Sequence, residues 1–546
     1  MTRAHNAAWV RPLEIRHDVD TGEHHVLVEF RSVDGGWRQA LVRRGQIDDP
    51  RGAKRLLADL GADIPEDWLE PLKTALQARG CDVVRSTSVM GWHEGGTFLL
   101  PDGPIGRLRT LRPMRPAPAD LCTLGKVSTW RKGLRAPCAG SSYLTFAIAV
   151  GFAGCLLEPI GQEEGAVFHL FGESSTGKSL ATLAAQSVIE KAGRSHLRSH
   201  DLTDRALEEE AAACNHSLLV LDETGRIEGT PARRLQRLQA IAYKLCGGQG
   251  RRRSQKAVAD PTLRNVAFRI FGLSSGEEPL DGGPQKRNDG ELVRLIGIPI
   301  PRREVGGIFD REMSGEQRGA LARQVEEAIR VGYGVPVRRF LGKFLSDGKA
   351  TSKAKAYAER FVARVVPATT PFADRFARKF AVVYAAAMLA VDFGLAPWTK
   401  KQAGLAIRMV HRRAWEIVRP PASAAEDLIA TLRKQASDEA RFPEVGQGEK
   451  VSSKAVGKLY GIRREISGRS VIALLRDRLD RFVPAHQAKE VEAILADRGY
   501  LLPGKEPGRR VRQLRVQGLQ PARPDFLLFD AEKVLQRDPE ANRDAA

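Results

Sequence analysis

The sequence predicts an α/β protein built around a parallel sheet, and three observations predict it. Short apolar strands alternate with helical stretches from about residue 127 to residue 298. One strand, Val167 to Phe171, runs into a glycine-bearing loop and then a helix. A second strand, Ser217 to Leu221, ends in the acids Asp222 and Glu223. Strands that alternate with helices favour parallel pairing, because each return crossover is a helix.

The 546 residues exceed what one core holds, so several domains are expected. Apolar residues at 42% and charged residues at 28% are the balance of a folded chain and exclude wholesale disorder. Lysine plus arginine number 86 against 66 acids, a net charge of +20. That excess suits a polyanion, most simply nucleic acid, although solubility alone would also account for it. The six cysteines, Cys81, Cys122, Cys138, Cys155, Cys214 and Cys246, form no C-x-x-C pair. They read as reduced core thiols rather than a disulfide or zinc framework. The first ten residues lack the apolar segment of a secretory signal. The apolar run Tyr143 to Leu157 is shorter than the roughly 18–20 residues of a bilayer span, and the run from Phe380 to Gly394 carries Asp392. Both read as buried helices of a soluble, cytoplasmic protein.

Taken in order, residues 13–43 alternate apolar and polar around Gly35-Gly36, a β-hairpin pattern. Helical periodicity follows over 51–80, and short strand-like pieces over 83–109. The proline-rich segment Arg112 to Asp120 marks a boundary, which makes 1–118 an N-terminal mixed α/β accessory domain. Residues 119–310 hold the sheet, with its third strand at Asn265 to Leu273 and its fourth at Leu292 to Ile298. Residues 311–420 are helical, a lid region closed by Pro420-Pro421. Residues 421–546 are basic, with two or three helices and then strand-like pieces, an order that suits a winged-helix-like module.

The chemistry centres on Gly172-Glu173-Ser174-Ser175-Thr176-Gly177-Lys178-Ser179, which matches the P-loop pattern G-x-x-x-x-G-K-[ST] between a strand and a helix. Glycines let the backbone wrap phosphates with its N–H groups inward. Lys178 would neutralise the β- and γ-phosphates of ATP, and the Ser179 hydroxyl would ligate Mg²⁺. At the next strand tip, Asp222 would hold Mg²⁺ through its water shell and Glu223 would polarise the attacking water. Two adjacent acids favour ATP hydrolysis over a simple kinase. The tip Ser274-Ser275-Gly276-Glu277 offers a polar residue to position that water, or is an ordinary turn. Arg287, in Gln285 to Gly290, and then Arg294 are arginine-finger candidates, each also readable as a solvated charge.

Two basic clusters could meet DNA. One is the glycine-flanked loop with Arg251, Arg252, Arg253 and Lys256; the other holds Arg509, Arg510 and Arg512. His17, His24, His25, His169, His196, His200 and His216 show no metal-ligand spacing.

These motifs together resemble the family called domain of unknown function 927, helicase-like ATPases of bacterial chromosomal cassettes, prophages and other mobile elements. The resemblance runs from about residue 10 to about 400. It rests on Gly91-Trp92-His93 followed by Phe98 to Gly103, Phe146 to Leu157, His169 to Ser179, Leu218 to Glu223, Leu273 to Glu277 and Gly290 to Pro299. It implies an AAA+-like, hexameric, DNA-dependent ATPase acting as a replicative helicase. Lys178 and Ser179 would bind nucleotide, Asp222 and Glu223 would serve metal and water, and Ser275 would sit at the sensor position. Thr224-Gly225-Arg226 and Asp289-Gly290-Glu291 depart from the family pattern. The function expected is ATP-driven movement along DNA; the alternative is a non-translocating ATPase switch in phage defence or element regulation.

Overall fold

The computed structural model describes residues 9–114, 117, 119–193, 198–199, 203–222, 230–248, 267–279, 289–366, 371–446, 449, 459–483, 487–504, 510–519 and 523–536. The chain divides into two compact units, Met1–Ala414 and Trp415–Ala546. The boundaries expected near 118 and 310 thus fall inside the first unit.

The first unit opens with β1 (Val10–Asp18), β2 (His24–Arg31) and β3 (Trp37–Arg43), paired antiparallel in series. The expected hairpin is therefore a three-stranded meander; Gly35, at φ 83°, turns β2 into β3. Strands β4 (Val83–Thr87) and β8 (Arg112–Pro113) extend this sheet in parallel beside β1, giving the order β3-β2-β1-β4-β8. Helices α1 (Pro50–Asp59) and α2 (Leu69–Gln77) cover it, burying Leu57, Leu72 and Leu76 against Val26, Val28 and Phe30. Between β4 and β8, β5 (Gly91–His93), β6 (Thr97–Leu100) and β7 (Gly103–Gly106) form a small antiparallel sheet. Its Gly91 has φ 91°, and a Cβ there would lie 2.7 Å from the Asn215 carbonyl oxygen and from His216 Nδ1. The Trp92 N–H donates to that His216 nitrogen at 3.1 Å, and the Trp92 indole donates to the Cys155 carbonyl at 2.8 Å.

The central sheet has the order β10-β11-β12-β9-β13, all parallel: β9 (Ala166–Phe171), β10 (Arg198–Ser199), β11 (Leu218–Asp222), β12 (Phe271–Gly276) and β13 (Leu295–Pro299). Strands β9, β11, β12 and β13 are mostly apolar and buried, as in a parallel sheet covered on both faces. Strand β12 begins later than the sequence pattern suggested and includes Ser274 and Ser275. The fourth strand, expected from Leu292, starts only at Leu295, after a short helix at Asp289–Leu292, so Arg294 precedes β13 instead of lying within it. Helix α3 (Val127–Gly140) leads to α4 (Ser142–Ala153), in which every residue is buried. The Ser141 hydroxyl caps α4, accepting from the Leu144 N–H at 2.9 Å. The helical run continues to Ile160, 19 residues, which corrects the expectation of a segment too short for a bilayer. By length and composition it would reach across one, but 83% of its apolar window is buried in the fold, with Phe146 against Phe168 and Phe380. All six cysteines are free thiols, and burial pushes Cys138, Cys155 and Cys246 up to about 12.

Helices then dominate: α5 (Lys178–Gln186), α6 (Asp204–Ala213) and α7 (Pro231–Gly247) flank the sheet, followed by α8 (Gly315–Val331), α9 (Val335–Ser346), α10 (Ala350–Val365), α11 (Pro371–Asp392) and α12 (Lys400–Val418). A Ser314–Gln317 capping box starts α8. Phe361, Phe376, Phe380 and His411 pack together from α10, α11 and α12.

The second unit holds α13 (Pro421–Gln435), the hairpin β14 (Gly461–Ile466) and β15 (Arg469–Leu475), α14 (Ala488–Asp497), β16 (Val511–Gln513) and β17 (Asp525–Asp530). Its four strands are antiparallel in the order β14-β15-β17-β16. Alternation assigns Ile472, Leu474, Leu527 and Phe529 to one face, with α13 and α14. Ala473, Leu475, Phe526 and Leu528 take the other. A hairpin here precedes α14, so the helices-then-strands order expected of a winged helix is not the order among the described residues.

Candidate nucleotide site

Sheet topology creates the site. The chain leaves β9 through α5 for β10 on one side, while β13 returns on the other, so the connections diverge at the carboxyl end of β9. Such a switch point opens a crevice for ligands. Residues 172–177 fill its rim. Gly172 has φ 145° and Gly177 φ 92°, and a Cβ at Gly177 would lie 2.8 Å from Ile308. Ser175 also takes a positive φ, 61°. The loop is braced from the segment after β13: the Ile308 N–H donates to the Thr176 carbonyl at 2.9 Å, and Gly307 lies so close that a Cβ would reach 2.4 Å from that oxygen. The Thr176 hydroxyl donates to the Glu173 carbonyl at 2.9 Å.

Helix α5 starts at Lys178 with Gly177 as its cap, so its first N–H groups face the loop. Lys178 is buried, and its Nζ donates to the carbonyls of Gly172 at 2.8 Å and Glu173 at 2.6 Å. Burial lowers the Lys178 pKa below the usual lysine value, while the carboxylates of Glu277 and Asp222 pull it back up. Asp222 is buried at the end of β11. Ser275, on β12, donates its hydroxyl to Asp222 Oδ1. Its neighbour Ser274 points to the opposite face, where its hydroxyl meets His169 Nδ1 at 2.9 Å, and His169 Nε2 lies 3.1 Å from the Glu278 carbonyl.

The structure thus brings together Gly172 to Ser179, Asp222 and Ser275. Glu223, Arg287, the loop with Arg251, Arg252, Arg253 and Lys256, and Arg509 lie outside the described residues. Arg294 lies at the amino end of β13, the opposite edge of the sheet from the 172–177 loop. Its guanidinium is 2.6 Å from Glu164 and 5.0 Å from the Tyr243 ring centre. Burial lowers its pKa, but Glu164 outweighs that and the net shift is upward. In the second unit, Arg512 donates to the Pro503 carbonyl at 2.8 Å, and Arg510 lies within electrostatic reach of Glu492.

Sequence reasoning gave no role to Glu277 or to the brace at 300–308. Glu277 was legible as the last residue of the β12 tip motif. The brace was signalled only by Gly306-Gly307, a pair that by itself reads as a turn.

The donor set suits ATP and Mg²⁺. The glycine loop is a backbone cradle that a Cβ at Gly177 would fill, and the hydroxyl of Ser179 and the carboxylate of Asp222 are the hard oxygen donors that Mg²⁺ takes. The residues fit both groups.

Residues 7–260 match the family model described as "Domain of unknown function (DUF927)", so the resemblance holds over that span. The markers at 273–277 and 290–299 lie beyond it. No curated protein sequence matches. Among solved structures, the fold is similar to one described as "SCCmec type IV Cch - active helicase", with TM-score 0.58 and 18% identity over 96% of this chain and 94% of that one. At that identity the likeness is one of fold. A second, "The A form apo structure of NrS-1 C terminal region-CTR(305-718)", has TM-score 0.25 and 10% identity over 74% of this chain and 92% of that one.

Proposed function

We propose that the first unit hydrolyses ATP and couples hydrolysis to movement along DNA, as a helicase of a mobile genetic element working in a ring of subunits. The observation that carries this reading is the meeting, at the carboxyl edge of one parallel sheet, of the 172–179 loop, Lys178, Asp222 and Ser275. The similarity in fold to a structure described as an active helicase and the net charge of +20 support the DNA part.

In this reading the loop N–H groups and Lys178 bind the phosphates, and Lys178 gives up its carbonyl partners to do so. Ser179 and Asp222 would hold Mg²⁺, which when bound neutralises phosphate charge. Glu223 orients the attacking water and accepts its proton. Ser275 holds the Asp222 carboxylate in one orientation. Arg287 is the finger toward a neighbouring subunit; Arg294, held by Glu164 in its own chain, is read as a tether between β13 and the start of β9. The basic loop around Arg251, Arg252, Arg253 and Lys256 grips phosphates in the channel.

The test is the ATPase rate with and without single-stranded DNA, for the natural chain and Glu223→Gln, with mass photometry on the same samples. Stimulation several-fold by DNA, loss in the variant and an ATP-dependent ring support the motor and lead to a strand-displacement assay. Hydrolysis indifferent to DNA refutes the helicase and favours a non-translocating ATPase switch.

A further inference from the structure

Helix α7 holds an aromatic ring out to solvent at the amino edge of the central sheet. Its Leu238, Ile241 and Leu245 are buried in one cluster with Leu219, Leu221 and Leu295 of the strands. Tyr243 therefore falls on the other side of the helix, and it is 56% exposed. Ala240 and Gly247, one turn to either side, are exposed as well and carry no bulk to cover the ring. The ring is held in place by the Arg294 guanidinium, 5.0 Å from its centre. Arg294 is in turn fixed to the end of α7, where the Cys246 thiol lies 3.3 Å from the Arg294 carbonyl.

The carboxylate that holds Arg294 joins this ring to two more cations. Glu164 takes Arg294 at 2.6 Å on one oxygen, while Arg375 lies 3.5 Å and Lys379 3.7 Å from the other. Among the described residues, Glu164 is the one carboxylate paired with any of the three, so three cations stand against one acid. Lys379 is buried, and its Nζ donates to the Glu164 carbonyl at 2.8 Å. Arg375 is the member that faces solvent, with its side chain 47% exposed. It makes one long contact to an oxygen it shares with a lysine, which leaves most of its five N–H donors to an outside acceptor.

We propose that this edge binds single-stranded DNA: a base stacks on Tyr243, and Arg375 grips a phosphate of the same strand. Arg294 and Lys379 add positive field beneath both. An exposed ring linked to guanidinium groups suits a single strand, because every base offers a π-face and every phosphate accepts a guanidinium fork. Tyr243 and Arg375 stand on helices α7 and α11, so binding orders no loop. The surface lies at the opposite edge of the sheet from the 172–177 loop, and it uses neither the 251–256 loop nor the Arg509–Arg512 cluster. It rests on the reading of the chain as DNA-acting for the identity of the polyanion.

The experiment measures binding of a dye-labelled single-stranded oligonucleotide to the full chain by anisotropy over a salt series. Tyr243→Ala should weaken binding about tenfold and leave the salt slope unchanged, because stacking releases no counterion. Tyr243→Phe keeps the ring and should bind as the natural chain does. Arg375→Gln should weaken binding several-fold and lower the salt slope by about 0.7, the share of one phosphate on a single strand; Arg375→Lys should restore the slope. The control Arg330→Gln removes the same charge from an arginine that pairs with Glu327 at 2.8 Å within α8, and it should change neither quantity. Tyr243→Ala or Arg375→Gln indistinguishable from a natural chain that binds normally overturns this proposal and leaves the motor reading standing. A control that falls as far as Arg375→Gln does the same. No binding by the natural chain overturns both.

Discussion

Lys379→Met gives a sharp test of the packing that joins α11 to the foot of the sheet. Lys379 is 2% exposed; its Nζ donates to the Glu164 carbonyl at 2.8 Å and lies 3.7 Å from the Glu164 carboxylate. Glu164 also takes Arg294 at 2.6 Å and Arg375 at 3.5 Å, so three cations share one acid. Burial pulls the Lys379 pKa down to about 8, against the opposing pull of Glu164. Below pH 8 the lysine is charged in both the folded and the unfolded chain. Between about 8 and the ordinary 10.5, the unfolded chain keeps a proton that the folded chain has shed, so this group makes stability rise with pH. At about 1.36 kcal/mol per pH unit, the full rise is about 3 kcal/mol. Methionine keeps the apolar stem and removes the charge, while Glu164 retains both arginines. Stability near neutral pH should therefore hold or increase. Urea unfolding of the full chain, followed by circular dichroism from about pH 7 to 10.5, isolates the effect as a difference between the two proteins, because every other lysine and tyrosine titrates in both. Superimposable pH profiles would refute the reasoning, as would a large loss of stability in the variant near neutral pH.

Three further outcomes follow from the same structure. His411 sits among Phe361, Phe376 and Phe380, and burial lowers its pKa to about 4. Between pH 6.5 and 4 the unfolded chain binds a proton that the folded chain refuses, so stability falls with acidification; His411→Phe should flatten that limb in acid unfolding curves. Gly177→Ala forces a side chain at φ 92° to within 2.8 Å of Ile308. It should cost about 1–3 kcal/mol of local stability and at least tenfold in ATP affinity, read by calorimetry. Lys178→Ala should abolish the rise in melting temperature on adding ATP with Mg²⁺; a rise equal to that of the natural chain would remove the 172–179 loop from the nucleotide site.

Much of the site was legible in the sequence because its determinants are local. A glycine pair set around a lysine and a serine, after an apolar strand, describes one continuous loop. Asp222 follows its own strand directly, and apolar runs marked β9, β11, β12 and β13 but not the two-residue β10, Arg198–Ser199, which has no apolar residue to show it. Sequence periodicity also placed α4 inside the fold, although the helical run proved longer than the apolar stretch, since a helix continues through residues that are not themselves apolar. Only tertiary structure decided the rest, because those choices depend on which distant segments become neighbours. It is strand order that sets β12 between β9 and β11, so that Ser275 meets Asp222 while Ser274 turns to His169. The parallel course of β13 puts Arg294 at the edge away from the phosphate loop, where Glu164 holds it. The packing of α10, α11 and α12 brings Phe361, Phe376 and His411 together, three rings that nothing in the spacing of the chain relates. Local backbone preference and apolar period are properties of a few consecutive residues; charge pairing and strand adjacency are properties of the folded chain.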